Sequence, residues 1–298
     1  MGKGNRHSSP ASFCIKAVMT SASIGLLFGS SPAGAEHSWS GLHWARTSNP
    51  FTVTLGSNVT ANWLPYIRDA VGTLNQPNAT VGYWSVPTYS AGGTTVESPV
   101  RTKLVTGLTS ARTCKAKSGT VQVCNAKYGY NGWLGVATVW TSGGHIVQST
   151  VKLNDSYYSL STYNTPAWRA TVACQEIGHA FGLDHQDEDQ SNDDLKDANG
   201  IESCMDYTSN PAGNGQPNFH DYEELAVIYD NHTDSATTLA SSAASAAAAA
   251  DAGATPSEWG KPVAFTTDGR GRVFEREVAP GRRITTFVFW VPGRGHHE

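Results

Sequence analysis

The chain has 298 residues, with 21 Lys and Arg against 25 Asp and Glu and a formal charge of −4. That length admits one large domain or two small ones. A mildly acidic chain with no basic block argues against a nucleic-acid partner.

Taken in chain order, Lys3, Arg6 and Lys16 lie in or beside an apolar stretch that runs to Phe28, and Ala33-Gly34-Ala35 follows with small residues. Residues 1–35 therefore read as a secretory signal peptide cut after Ala35, which makes the mature protein secreted. A membrane anchor is the alternative reading. Lys16 interrupts the apolar run, and residues 24–28 fall far short of the roughly 20 that a span requires, so no transmembrane segment is expected. Loss of the leader removes three positive charges and no acid, taking the charge from −4 to −7, and it removes Cys14. Cys114, Cys124, Cys174 and Cys204 remain, an even number that suggests two disulfides in an exported chain. Four cysteines allow three connectivities. We favour Cys114 with Cys124, closing a short loop, and Cys174 with Cys204.

Residues 36–234 read as one domain. Residues 51–55 alternate as a strand should, and Trp63, Leu64, Ile67, Ala70, Val71 and Leu74 recur at helical spacing. Strand-like runs follow at 81–86, 121–124, 133–140 and 146–153. Thr165 as N-cap and Pro166 at the first helical position open a second helix. It is expected to run through Trp168, Val172 and Ile177 to His179 or Ala180, with Gly182 turning the chain at its end. A third helix is expected over 221–231. This order predicts an α+β fold with a mixed sheet, in which runs 135–140 and 146–151 offer an edge for an extended peptide. Residues 235–258 form an Ala/Ser-rich linker. Residues 259–298 read as a small β-rich tail, a hairpin with strands at 263–267, 273–278 and 284–291; a binding module, a surface anchor and a poorly ordered segment are all open readings.

Gln175-Glu176-Ile177-Gly178-His179-Ala180-Phe181-Gly182-Leu183-Asp184-His185 carries the chemistry. Residues four apart share a helix face, so Gln175 and His179 point the same way. Glu176 lies beside them, within reach of a water. Gly182 lets the chain swing round so that His185 approaches as a third ligand, leaving a fourth position open as catalytic zinc requires.

The segment resembles the H-E-x-x-H-x-x-G-x-x-H signature of the metzincin clan at every defined position except the first, and is most similar to the matrixin branch. Ser203-Cys204-Met205-Asp206-Tyr207 resembles the Met-turn of that clan. The resemblance covers about residues 38–234 and is concentrated between 165 and 207. It implies a metzincin-like zincin with a mixed twisted sheet, an active-site helix, a Met-turn and a C-terminal helix. It further implies a secreted zinc metalloendopeptidase acting on protein or peptide. Zn2+ would sit on His179, His185 and Gln175, with Glu176 as general base and Met205 as the floor. Tyr207 would help to stabilise the oxyanion.

Gln175 departs from the pattern. An amide oxygen is a weaker donor than an imidazole and is not among the usual zinc ligands. Three outcomes are open: Gln175 ligates through its oxygen, His145 or His220 supplies the missing ligand, or the protein is a pseudoprotease that binds peptides or surfaces without cutting. Cys174 as a thiolate ligand is a weaker alternative, because a disulfide is its better use.

The acidic stretch with Asp187, Glu188, Asp189, Asp193, Asp194 and Asp197 is a calcium candidate, although it lacks the EF-hand glycine and closing glutamate. His220, next to Asp221, reads as structural. Asn58, Asn78 and Asn154 open glycosylation sequons. No cysteine-switch propeptide is visible, so nothing in the sequence is expected to keep an active enzyme latent. The chain is expected to be a monomer.

Overall fold

The computed structural model describes residues 1–2, 4, 37–73, 80–189, 195–229, 232–239 and 253–293. The expected signal peptide, Leu74, Asn78, Asp193, Asp194 and much of the Ala/Ser-rich linker lie outside them. The chain divides into Met1–Gly34 and Ala35–Glu298, and the elements below all belong to the second unit.

The fold is α+β. A short strand β1 (His43–Trp44) precedes β2 (Phe51–Asn58), helix α1 (Leu64–Val71), and the hairpin strands β3 (Thr88–Ala91) and β4 (Thr94–Glu97). Strands β5 (Val100–Thr106), β6 (Thr120–Ala126), β7 (Trp133–Ser142) and β8 (His145–Asn154) follow. Helices α2 (Pro166–His179) and α3 (Phe219–Tyr229) come next, then the single turn α4 (Pro256–Trp259) and strands β9 (Lys261–Phe265), β10 (Gly271–Ala279) and β11 (Arg282–Trp290). Among the described residues the main sheet runs β5-β2-β6-β8-β7-β11-β10-β9, with β1 alongside β8. Pairing is parallel from β5 to β8 and antiparallel from β8 to β9, so the sheet is mixed.

The alternation read from residues 51–55 is present in β2, where Phe51, Val53 and Leu55 are buried and Thr52 is exposed. Helix α1 buries Ile67, Ala70 and Val71 and stops at Gly72, whose φ of 75° suits glycine. The strand expected over 81–86 does not form. Tyr83–Ser85 is a 3-10 turn instead, because Trp84 turns fully inward and its indole N–H donates to the Cys174 carbonyl at 3.0 Å. Sequence alternation missed β5, whose polar residues interrupt the apolar ones.

Residues 259–293 do not form a separate tail but join the main sheet. β11 pairs with β7 from Arg282↔Ser142 to Trp290↔Trp133, which converts β7 from an edge into an inner strand. Phe287, Phe289 and Val291 enter the main core with Val172 and Ile177 of α2. Trp259, Phe274, Val288 and Trp290 form a second cluster with Trp133 and Val136. The physical reason is the apolar run 287–290, which is buried on both faces and therefore needs cover on both.

Disulfides join Cys114 to Cys124 and Cys174 to Cys204, one of the three connectivities open to the sequence and the one favoured there. Among the described residues no helix is long and apolar enough to cross a membrane.

Candidate active site

Helix α2 positions the site. The Thr165 hydroxyl accepts from the Trp168 N–H at 3.3 Å, and Pro166 occupies the first turn. After the last turn, Gly182 adopts φ 101°, and a Cβ there would overlap the Leu42 carbonyl. This turn carries Leu183, Asp184 and His185 back beneath the helix end. Cys174–Cys204 ties the helix to the Met205 turn. Met205 is fully buried and lies so close to Gly178 that any side chain there would meet its sulfur and Trp84.

Gln175 is fully buried, and its Nε2 donates to the Cys204 and Asp206 carbonyls, both at 2.9 Å. Both partners only accept, so the amide orientation is settled and Oε1 is left without a hydrogen-bond partner. His179 Nδ1 donates to the Leu183 carbonyl at 2.9 Å, which leaves Nε2 as a bare, unpartnered acceptor. His185 Nε2 is also buried and unpartnered, and the two imidazole rings lie 4.6 Å apart. Neither Glu176 oxygen makes a hydrogen bond of good geometry, although the backbone of Ala137 and Phe289 faces the carboxyl. Gly135 of β7 makes room for that carboxyl, since a Cβ there would stand 2.8 Å from Oε1.

The electrostatics follow from burial. Desolvation pushes the Glu176 carboxyl well above its usual range, with the backbone of Ala137 and Phe289 acting the other way. It pushes His179 well down, helped by His185, and brings His185 down to about 4. The imidazoles are thus held neutral, the form in which they bind metals. Burial opposes ionisation of Asp184, but His185 and Arg272 outweigh it and hold that carboxyl below the usual range.

Three unpartnered buried atoms, Gln175 Oε1, His179 Nε2 and His185 Nε2, are of the donor types that a divalent transition metal takes. Two of them are imidazoles, and an orphaned buried amide oxygen is costly without a donor or cation. A cation there would also offset the desolvation of Glu176. His145 does not supply a further ligand: its Nε2 faces Asp234 Oδ1 at 3.1 Å. His220 packs on His37 at 4.8 Å and lies near Glu223. Cys174 is committed to its disulfide.

Sequence reasoning missed the strand that closes the site. Phe287 of β11 stacks on His179, with centroids 4.3 Å apart and planes 10° apart. The buried Tyr207 hydroxyl donates to the Val288 carbonyl, and its ring stacks on His185 at 4.3 Å. Arg272 of β10 pairs with Asp184 at 2.6 Å and with Glu188, and its Nη1 lies 3.1 Å from His185 Nδ1. The apolar run 287–290 was the available signal, but nothing in it names β7 as its partner.

Of the acidic stretch, Asp197 accepts from Tyr89, Asn199, Ile201 and Phe219, and Asp187 accepts from the Asp189 N–H. Asn154 is fully buried and bonded to Gly129, Asn131 and Trp133, and Asn58 is bonded to Gln122 and two carbonyls. Neither presents a free amide for glycosylation.

No protein-family model matches the chain, and no curated protein matches it either.

Proposed function

We propose that this chain is a secreted zinc-dependent endopeptidase of metzincin type, matrixin-like, held closed by its own C-terminal strand. The observation that supports it most is the set of unpartnered buried atoms on α2 and its following turn, Gln175 Oε1, His179 Nε2 and His185 Nε2, on the helix that also carries the buried Glu176 carboxyl. Bound zinc would supply Lewis acidity toward a carbonyl and would acidify a water.

The chain's own residues do the rest. Glu176 takes a proton from the attacking water and returns it to the departing amine. Its raised proton affinity suits that exchange. The Tyr207 hydroxyl donates to a carbonyl of the chain lying in the cleft, as it does here to Val288. β7 pairs antiparallel with an extended chain, as it does with β11. A substrate strand and β11 would therefore compete for the same edge, and Arg272 adds a positive charge beside His185. This gives the chain a means of latency that the sequence did not disclose.

The test is hydrolysis of a broad protein substrate by the purified full chain with zinc, compared with Glu176→Ala and Arg272→Ala. The reading expects low activity that rises in Arg272→Ala and vanishes when Glu176→Ala is added. Activity that survives Glu176→Ala would sink the mechanism. No turnover in any form, Arg272→Ala included, would favour the alternative of a pseudoprotease that binds peptides or surfaces.

A further inference from the structure

Three imidazoles and one carboxylate meet beside β1, sharing no residue with the site above. His43 stands in β1, His145 opens β8 in register with it, and His232 and Asp234 follow α3. His43 Nε2 and His232 Nε2 are 3.2 Å apart. Asp234 Oδ1 lies 3.1 Å from His145 Nε2 and 3.7 Å from His43 Nε2. The ligand atoms of His43, His232 and Asp234 all fall within 4.8 Å of one another. The His43 ring stands edge-on to His145 and to His232, at 4.8 Å in each case.

Those spacings can be compared with what one ion demands. Two donors at about 2.0–2.1 Å from a tetrahedral zinc stand roughly 3.3 Å apart, close to the 3.2 Å and 3.7 Å that separate His43 from His232 and from Asp234. The supporting contacts also fit. His43 Nδ1 donates to the Gly41 carbonyl at 2.8 Å, so its Nε2 faces the cluster as a bare acceptor. Asp234 Oδ2 accepts from the Arg46 backbone N–H at 3.1 Å and from Arg46 Nη1 at 3.2 Å, which fixes the carboxylate with Oδ1 toward the histidines. Arg46 Nη1 also lies 3.4 Å from His232 Nε2, a long contact that an ion would replace. The Arg46 guanidinium keeps its bonds to the Tyr229 and His232 carbonyls and to Asn49. His43 and Asp234 are partly buried and His232 is exposed, so the cluster is open to entry of an ion.

We infer that His43, His232 and Asp234 form a second metal site for a divalent transition ion of the zinc class, with His145 holding the Asp234 carboxylate from outside the shell. Two imidazoles with one carboxylate suit zinc and its neighbours and not calcium or magnesium, which prefer all-oxygen shells. The ion clamps the first strand and β8 to the segment leaving α3.

The experiment is a Zn2+ titration of the purified full chain against a chromogenic chelator. His179→Gln/His185→Gln is the background that removes the first site, so the result does not depend on the protease reading. That background should still bind one zinc per chain. Adding His43→Gln and His232→Gln should weaken this zinc at least ~100-fold, since even the loss of outer-shell groups costs about 10–100-fold. His145→Gln alone, in the wild-type chain, should weaken one zinc at least ~10-fold, and it decides the matter if the multiple variants fail to fold. No zinc in the folded background chain, or an affinity unchanged by these substitutions, overturns the site.

Discussion

At the residue scale, Gln175 illustrates how one side chain serves two demands. Its Nε2 holds the Cys204 and Asp206 carbonyls of the Met205 turn, while its Oε1 has no hydrogen-bond partner and, on the proposed function, would face the zinc. Replacing it with histidine gives a stronger metal donor but removes two buried hydrogen bonds. Gln175→His should bind zinc ~10–100-fold more tightly and lose about 1–3 kcal/mol of metal-free stability, measured by chelator competition and urea unfolding. Equal zinc affinity in the two proteins would show that Gln175 is not at the metal.

Asp221 gives a pH dependence at the same scale. Burial raises its carboxyl to about 7, although Ser203 and the Asn218 N–H both donate to it at 2.7 Å. In the unfolded chain it titrates near the usual carboxylate value of about 3.9. Between those values the folded protein keeps a proton that the unfolded chain has released. The contribution is therefore full below about pH 4 and is lost as pH rises to about 7. Asn has no such proton, so wild type should lose stability relative to Asp221→Asn as pH rises from about 4 to about 7, by up to ~1.4 kcal/mol per pH unit. Parallel urea midpoints for the two proteins across that range would refute it.

At the element scale, the disulfides are unequal because the loops they close differ. Cys174–Cys204 spans 30 residues and joins α2 to the Met205 turn, while Cys114–Cys124 spans 10. Loop-closure entropy assigns roughly 3.5–4 kcal/mol to the longer and roughly 2.5–3 to the shorter. The chain with Cys174→Ala and Cys204→Ala should thus unfold at lower urea than the chain with Cys114→Ala and Cys124→Ala. The reverse order would mean that packing at Cys114, not chain entropy, dominates. Helix α2 was legible because its signals are local: Thr165, Pro166, the apolar spacing and Gly182 all lie within one segment. β5 and the turn at Tyr83–Ser85 were not, because their conformations answer to β2 and to Cys174, which lie far off in the chain.

At the scale of the whole molecule, the C-terminal strands belong to the same sheet as the site they cover. β11 buries Phe287, Val288 and Phe289 against β7 and α2, and Trp259 packs with Trp133 across the join. A specific protease site placed in the Ala/Ser-rich stretch 240–252 should therefore yield two pieces that co-elute on gel filtration and separate only in urea. Separation in native buffer would show that β11 is held weakly and would remove it as a closing element.

The sequence by itself determined the α+β class, the motif helix with its turn, and the residue types able to hold a metal and move a proton. Each of these follows from spacing within one helix or strand, where 3.6-residue and two-residue periods decide which side chains share a face. Only the tertiary structure decided that β11 lies on β7, that Arg272 sits beside His185, and that His43, His145, His232 and Asp234 converge. Strand pairing joins residues more than a hundred positions apart through backbone hydrogen bonds, which are the same for every residue type. The choice of partner is therefore set by burial of whole faces, not by any local pattern.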